Sequence, residues 1–232
     1  MKKSHIATLI VFLVLIPLTL ILGSRLSGRA FYVTSTLVIV ELLILAFEGR
    51  RPQARELVVL AVMCALAVAG RVAIPIPSFK AIFGIIMIAG IAFGPESGFL
   101  VGAISALASN FFYSQGPYTP WQMMAYGAGG MLAGFVFAKG RLPRKPVIMG
   151  IFGFLAVTFF VGPLLDTCSV FLVMSRITLK GAMAFYISGF PVNLRQAVAT
   201  AIVLLALGNP LLEKLDRIKT KYGILDDGGK EA

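Results

Sequence analysis

The chain has 232 residues, of which 58% are hydrophobic and only 13% charged, with a formal net charge of +11. Soluble domains carry about 25% charged residues, so there is too little polar material here to coat a water-facing globule, and the solvent for most of the chain is lipid. The basic excess does not imply nucleic acid as a partner, because Lys and Arg gather in the short loops between membrane spans.

A spanning helix takes about 20 apolar residues. Breaks at charge, Pro and Gly divide the sequence into expected spans at 6–22, 31–47, 56–74, 80–94, 97–114, 120–138, 147–166 and 190–208. The first follows Met1-Lys2-Lys3 but lacks a small-x-small cleavage pattern, so it reads as a membrane helix and not a signal peptide. Lys2, Lys3, Arg50, Arg51, Arg55, Lys139, Arg141, Arg144, Lys145, Lys214, Arg217, Lys219, Lys221 and Lys230 fall on one side. Only Arg25, Arg29, Arg71, Lys80, Arg176 and Lys180 fall in the opposite loops. Positively charged loops stay inside, which makes both termini cytoplasmic. The expected fold is an all-α polytopic transmembrane bundle. Residues 167–188, interrupted by Arg176, Lys180 and Gly181, read as a long external loop with room for a short interfacial helix, and 213–232 as a solvated cytoplasmic tail.

In chain order, Glu41 sits inside the second span with no cation near it in sequence, where a bare carboxylate demands protonation or an internal partner. Ala61, Ala65 and Ala69 recur every four residues on the third span, a stripe that lets another backbone approach. Packing within the bundle and docking of another subunit both use such a stripe. Gly98, Gly102, Ser105 and Ser109 form one face of the fifth span, and Met123, Gly127, Gly130 and Gly134 one face of the sixth. With a short loop between them, these two faces are expected to pack on each other.

The stretch 110–122 combines aromatic side chains with amides and contains no charge. Asn110, Tyr113, Gln115, Tyr118, Trp121 and Gln122 suit the grip on a flat or bulky neutral molecule, with aromatic faces supplying area and amides fixing polar edges. An aromatic belt at the membrane interface explains the rings equally well, but not the amides. Asp166, Asn193 and Arg195, with Gln196, fall at the same external level. They could touch a ligand, or Asp166 and Arg195 could form an internal ion pair.

Several chemistries lack their parts. There is no phosphate-binding loop of the G-x-x-x-x-G-K-[ST] type. His5 is the lone histidine, Cys64 and Cys168 have no metal-ligand spacing, and no nucleophile sits beside a base. No metal, cofactor or catalytic residue is expected. The chain reads as a binding unit without its own energy source, the alternative being a membrane enzyme or accessory factor acting on a lipid, with Glu41, Asp166 and Arg195 as its polar centre.

From Arg55 to about Leu215 the sequence resembles the substrate-binding S components of energy-coupling factor (ECF) vitamin transporters. The resemblance is carried by the alanine stripe, by Gly94-Pro95-Glu96-Ser97-Gly98-Phe99-Leu100-Val101-Gly102, by Gln115-Gly116-Pro117 with Thr119-Pro120-Trp121-Gln122-Met123, and by Gly189-Phe190-Pro191-Val192-Asn193-Leu194-Arg195-Gln196-Ala197 leading to Asn209-Pro210-Leu211-Leu212. It implies a six-helix core at 55–212, two extra N-terminal helices within 1–54, a tail at 213–232, and a place in a bacterial or archaeal cytoplasmic membrane. The loop is most similar to cobalamin-specific members. The resemblance further implies a vitamin bound from outside as substrate, docking of Ala61, Ala65 and Ala69 onto a membrane scaffold subunit, tilting to release the vitamin inward, and two separate ATPase subunits.

Overall fold

A computed structural model describes residues 33, 35–40, 43, 54–137, 140–174 and 176–224. The expected first span, Glu41 and the residues after Ile224 lie outside these. Among the described residues the secondary structure is entirely helical: α1 (Ala54–Val72), α2 (Ile82–Phe93), α3 (Pro95–Tyr113), α4 (Thr119–Phe137), α5 (Pro146–Ala156), a π-helical segment (Val157–Val161), α6 (Gly162–Val173) and α7 (Leu179–Tyr222). The six expected core spans each correspond to one of these helices or, for 147–166, to the continuous run from α5 to α6.

The centre of the bundle is α2. It has 12 residues and every one is buried, as expected of a helix that is apolar all round. At 1.5 Å per residue it is about 18 Å long, well short of the roughly 30 Å hydrocarbon core. A single residue, Gly94, turns the chain into α3 with φ of +97°, a left-handed conformation that a side chain would strain. Pro95 then occupies the first turn of α3, where its missing N–H leaves no helical bond unmade. The carbonyl end of α2 is closed by cations from elsewhere in the chain. Arg144 Nη2 donates to Ile91 O at 3.2 Å, Lys219 Nζ donates to Ala92 O at 2.7 Å, and Asp216 holds both cations at 3.4 and 2.6 Å.

The glycine faces of α3 and α4 pack on each other as their spacing requires. A Cβ built on Gly98 would lie 2.5 Å from Gly130 O, one on Gly102 2.5 Å from Tyr126 O, and one on Gly134 2.6 Å from Pro95. Gly90 of α2 meets the same seam, so three backbones converge where no side chain fits. The alanine stripe behaves differently: Ala61, Ala65 and Ala69 are exposed, while Met63, Cys64 and Ala67 fill the contact with the bundle. Packing within the described bundle therefore does not account for the stripe.

The segment 167–188 is not a long loop. Helix α6 carries the chain to Val173, and α7 begins at Leu179 with Thr178 Oγ1 accepting from Gly181 N at 3.2 Å. The α7 helix runs 44 residues through Pro191 and Pro210, about 66 Å. It passes without a break from the expected core into the expected tail, where Leu215 is buried. It stops at Gly223, whose left-handed φ of +59° lets Ile224 N donate to Lys219 O at 2.9 Å, closing the last turn.

Outward-facing positions are apolar: Val58 and Val62 on α1, Ile151 and Leu155 on α5, Ile202 and Leu205 on α7 are exposed. Pro146–Val173 and Leu179–Tyr222 are long and apolar enough to cross a membrane. Gly130→Val should force the α3–α4 seam apart, because its Cβ would meet Gly98 O and sit 2.7 Å from Ile86 Cγ2. A loss of about 1–3 kcal/mol is expected for such overpacking, read as a lowered melting temperature in detergent; an unchanged transition would show that the seam is loose.

Candidate functional site

One end of the bundle gathers the α1–α2 connection, the α3–α4 connection, α6 and the middle of α7 around a cavity of about 500 Å³. Tyr113, Tyr118 and Gln122 line it, as their sequence context suggests. So do Arg71, Lys80, Tyr126 and Gln196. The apolar wall comes from Ile82, Leu165, Cys168 and Leu172. The stretch 110–122 is uncharged, but the cavity it faces is not.

Asn110 organises this end without lining the cavity. Completely buried in the last turn of α3, it accepts from Arg71 Nη1 at 2.9 Å and donates to Gln122 Oε1 at 2.7 Å and Thr119 Oγ1 at 3.3 Å. Arg71 also donates to Ser109 Oγ, and its guanidinium lies 4.9 Å from the centre of the Tyr113 ring and 5.6 Å from that of Tyr126. Such placements over aromatic faces are favourable. Tyr113 OH returns a bond to Arg71 O at 3.0 Å. One amide thus joins α1, α3 and α4, which explains why amides occur in a stretch where a plain aromatic belt has no use for them.

The short connection is pinned just as closely. Gln115 Nε2 donates to Leu107 O at 3.0 Å, Thr119 Oγ1 donates to Gln115 Oε1 at 3.0 Å, and Tyr118 OH donates to Ser114 O at 2.7 Å. Gln115 therefore fastens the connection from its outer side and does not face the cavity. Ser114 (φ +82°) and Ser78 (φ +59°) are the two non-glycine positive-φ residues among those described. They sit in the two connections beside the cavity, where backbone strain of order 1–3 kcal/mol per residue persists only if the surroundings hold it.

Trp121 is 1% exposed and its Nε1 donates to Leu164 O, so the indole ties α4 to α6 and contributes no ring to the cavity. Phe111 and Phe112 are 76% and 67% exposed and fit the interfacial belt. Asp166 does not pair with Arg195. Its Oδ2 accepts from Asn193 Nδ2 at 2.7 Å, while Arg195 lies on an exposed face of α7. A neutral amide reaches Asp166 because Gly162 and Gly189 leave room there: a Cβ on Gly162 would lie 2.5 Å from Asn193 Cγ, and one on Gly189 2.6 Å from Asp166 Cγ. The π-helical turn immediately before Gly162 sets that register, as such insertions often do near functional sites. Asp166, Asn193 and Arg195 all lie off the cavity wall.

Arg71, Lys80 and Tyr126 escaped the sequence reading. The two cations bracket a short connection on the same side as 110–122, and that adjacency was the available signal; counted only as topology charges, they gave no hint of a cavity. Tyr126 lies one turn beyond Gln122 on the same helix.

On the flank of the bundle, Ala61, Ala65 and Ala69 line an apolar groove of about 760 Å³ between α1 and α3, walled by Leu57, Ile104 and Phe112. Among the described residues no group of three or more His, Cys, Asp or Glu is placed to hold a metal.

Trp121→Ala should cost about 3–5 kcal/mol of stability, the usual range for a buried aromatic truncation. Gln122→Ala should weaken ligand binding and lower stability by a smaller amount, about 1–3 kcal/mol, because it removes an acceptor from the buried Asn110 amide. Thermal melts beside equilibrium binding separate the two, and a Gln122→Ala variant of unaltered affinity would remove that side chain from the site.

A family model described as ECF-type riboflavin transporter, S component, matches residues 52–213, from just ahead of α1 to well inside α7. No curated protein and no solved structure matches the chain significantly. S components are membrane-embedded, non-enzymatic parts of vitamin importers that work with a scaffold subunit and ATPases, in keeping with the apolar helices described above. With helices α1 to α6 and most of α7 inside that match, the chain belongs to the family of ECF-type riboflavin transporter S components.

Proposed function

We propose that the cavity at the Arg71–Gln122 end is the substrate site, open to the outside, and that it takes a flat, ring-shaped vitamin of riboflavin's size. The observation that carries this reading is the cavity's composition: three tyrosines, two amides and an apolar wall around about 500 Å³, within the usual range of about 300–1,000 Å³ for small-molecule sites. The family's riboflavin description supports the same class. Cobalamin, suggested by the loop's resemblance, is several times bulkier than a flavin and suits this volume less well. The outward orientation rests on the distribution of Lys and Arg.

The groove along Ala61, Ala65 and Ala69 is read as the docking face for the scaffold subunit. Small side chains allow close helix approach in lipid, where packing and not hydrophobicity drives association. Tilting of the docked chain would then carry the cavity from one side to the other, driven by the separate ATPases.

Purified protein in detergent is expected to bind riboflavin with micromolar or tighter affinity by equilibrium dialysis and to retain a flavin detectable by mass spectrometry; retention of a corrinoid in place of a flavin would overturn the substrate assignment. Ala61→Trp or Ala65→Trp should abolish uptake in cells supplying the partner subunits while leaving ligand binding intact. Full transport by both variants would remove the docking role from this face.

A further inference from the structure

We infer that the cavity selects a ligand bearing an anionic group, a phosphate ester or a carboxylate, with Arg71 and Lys80 as the residues that set this preference. The inference rests on the reading of this cavity as the substrate site, and it adds a charge requirement that the neutral loop 110–122 does not suggest.

Two cations line the cavity and no carboxylate does. The imbalance extends to the whole end of the bundle. Arg71, Lys80, Arg176, Lys180 and Arg195 are there, whereas the described acids Glu56, Glu96, Glu213 and Asp216 lie towards the opposite end. Asp166 is the exception, and it is off the cavity wall, accepting from Asn193. Both cations donate to neutral acceptors. Arg71 is held by Ser109 and Asn110, and Lys80 donates to Ile74 O. These contacts orient the cations without neutralising them. They also leave capacity, since a guanidinium has five N–H donors and an ammonium three.

Cations drawn into a low-dielectric site without a counter-charge are costly. A ligand that brings the missing negative charge recovers that cost through charge-assisted hydrogen bonds, whereas a neutral ligand of the same shape leaves it in place. The apolar wall of Ile82, Leu165 and Leu172 faces the same space, so the expected ligand is amphiphilic, with an apolar or aromatic body and one acidic end.

The test uses two ligand pairs that differ only in charge, riboflavin with riboflavin 5′-phosphate and biotinamide with biotin, titrated into the purified full chain at low and high salt. The charged member of at least one pair should bind roughly tenfold more tightly at low salt, a gap typical of one well-placed ion pair. Screening should narrow it at high salt. Lys80→Gln should abolish the gap and Lys80→Arg should retain it, with melting temperatures confirming that both variants fold. Equal affinities within both pairs, or a preference that survives Lys80→Gln, Arg71→Gln and high salt, would overturn the inference. Equal binding of the two flavins, with no preference for biotin over its amide, overturns the charge requirement and leaves the flavin reading standing. A preference for biotin over its amide without flavin binding does the reverse, and failure of all four ligands to bind overturns both.

Discussion

The fold depends on how α2 is terminated. In lipid, each backbone N–H and C=O must find its partner within the protein, and a helix of about 18 Å is shorter than the hydrocarbon layer of about 30 Å. The carbonyl end is met by Arg144 and Lys219, from the α4–α5 connection and from α7, both held by Asp216. These side chains also tie residues far apart in sequence to one point. Gly90 then brings α2 against Gly98 and Gly130, so the short helix is fixed along its length by backbone contact as well as at its end.

Because the capped end is fixed, the shortfall in length falls at the other end. There Ile82, the first residue of α2, forms part of the cavity wall, and Tyr126 packs its ring 4.5 Å from that of Phe83. The chain that completes the crossing, Ala73–Ala81, is not helical and carries Ser78 and Lys80 to the rim. In a membrane protein, irregular backbone is tolerated where it lines a cavity. The cavity is thus the room left by a helix too short to fill it, and its walls are the longer helices on either side.

Much of this was legible in the sequence. The glycine spacing of 98–102 and 127–134 implied the seam, because only backbone contact makes glycines at steps of three and four residues useful. Hydropathy located the core spans but misjudged α6 and α7. Arg176, Lys180 and Gly181 lower the local hydropathy, and Pro191 and Pro210 look like helix ends, yet neighbouring helices can satisfy the backbone groups a proline frees. For the site, residue type was a better guide to importance than to role. Asn110 and Trp121 are both central, but one connects three helices and the other anchors α6. Which side of a helix faces the cavity is set by tertiary packing, and one chain's composition does not reveal it.

Arg71 shows that a cation in a connecting loop can do more than orient the chain. As a loop cation it contributes only weakly to orientation, since it lies on the side with fewer positive charges. Its surroundings give it another role: a buried amide, a serine and two tyrosine rings fix its guanidinium beside a cavity with no acidic wall. Arg144 and Lys219, at the opposite end of the bundle, have Asp216 and the α2 carbonyls as partners; Arg71 and Lys80 have only neutral ones. Charges of the same sign therefore do different work at the two ends, closing the bundle at one and facing a cavity without a counter-charge at the other.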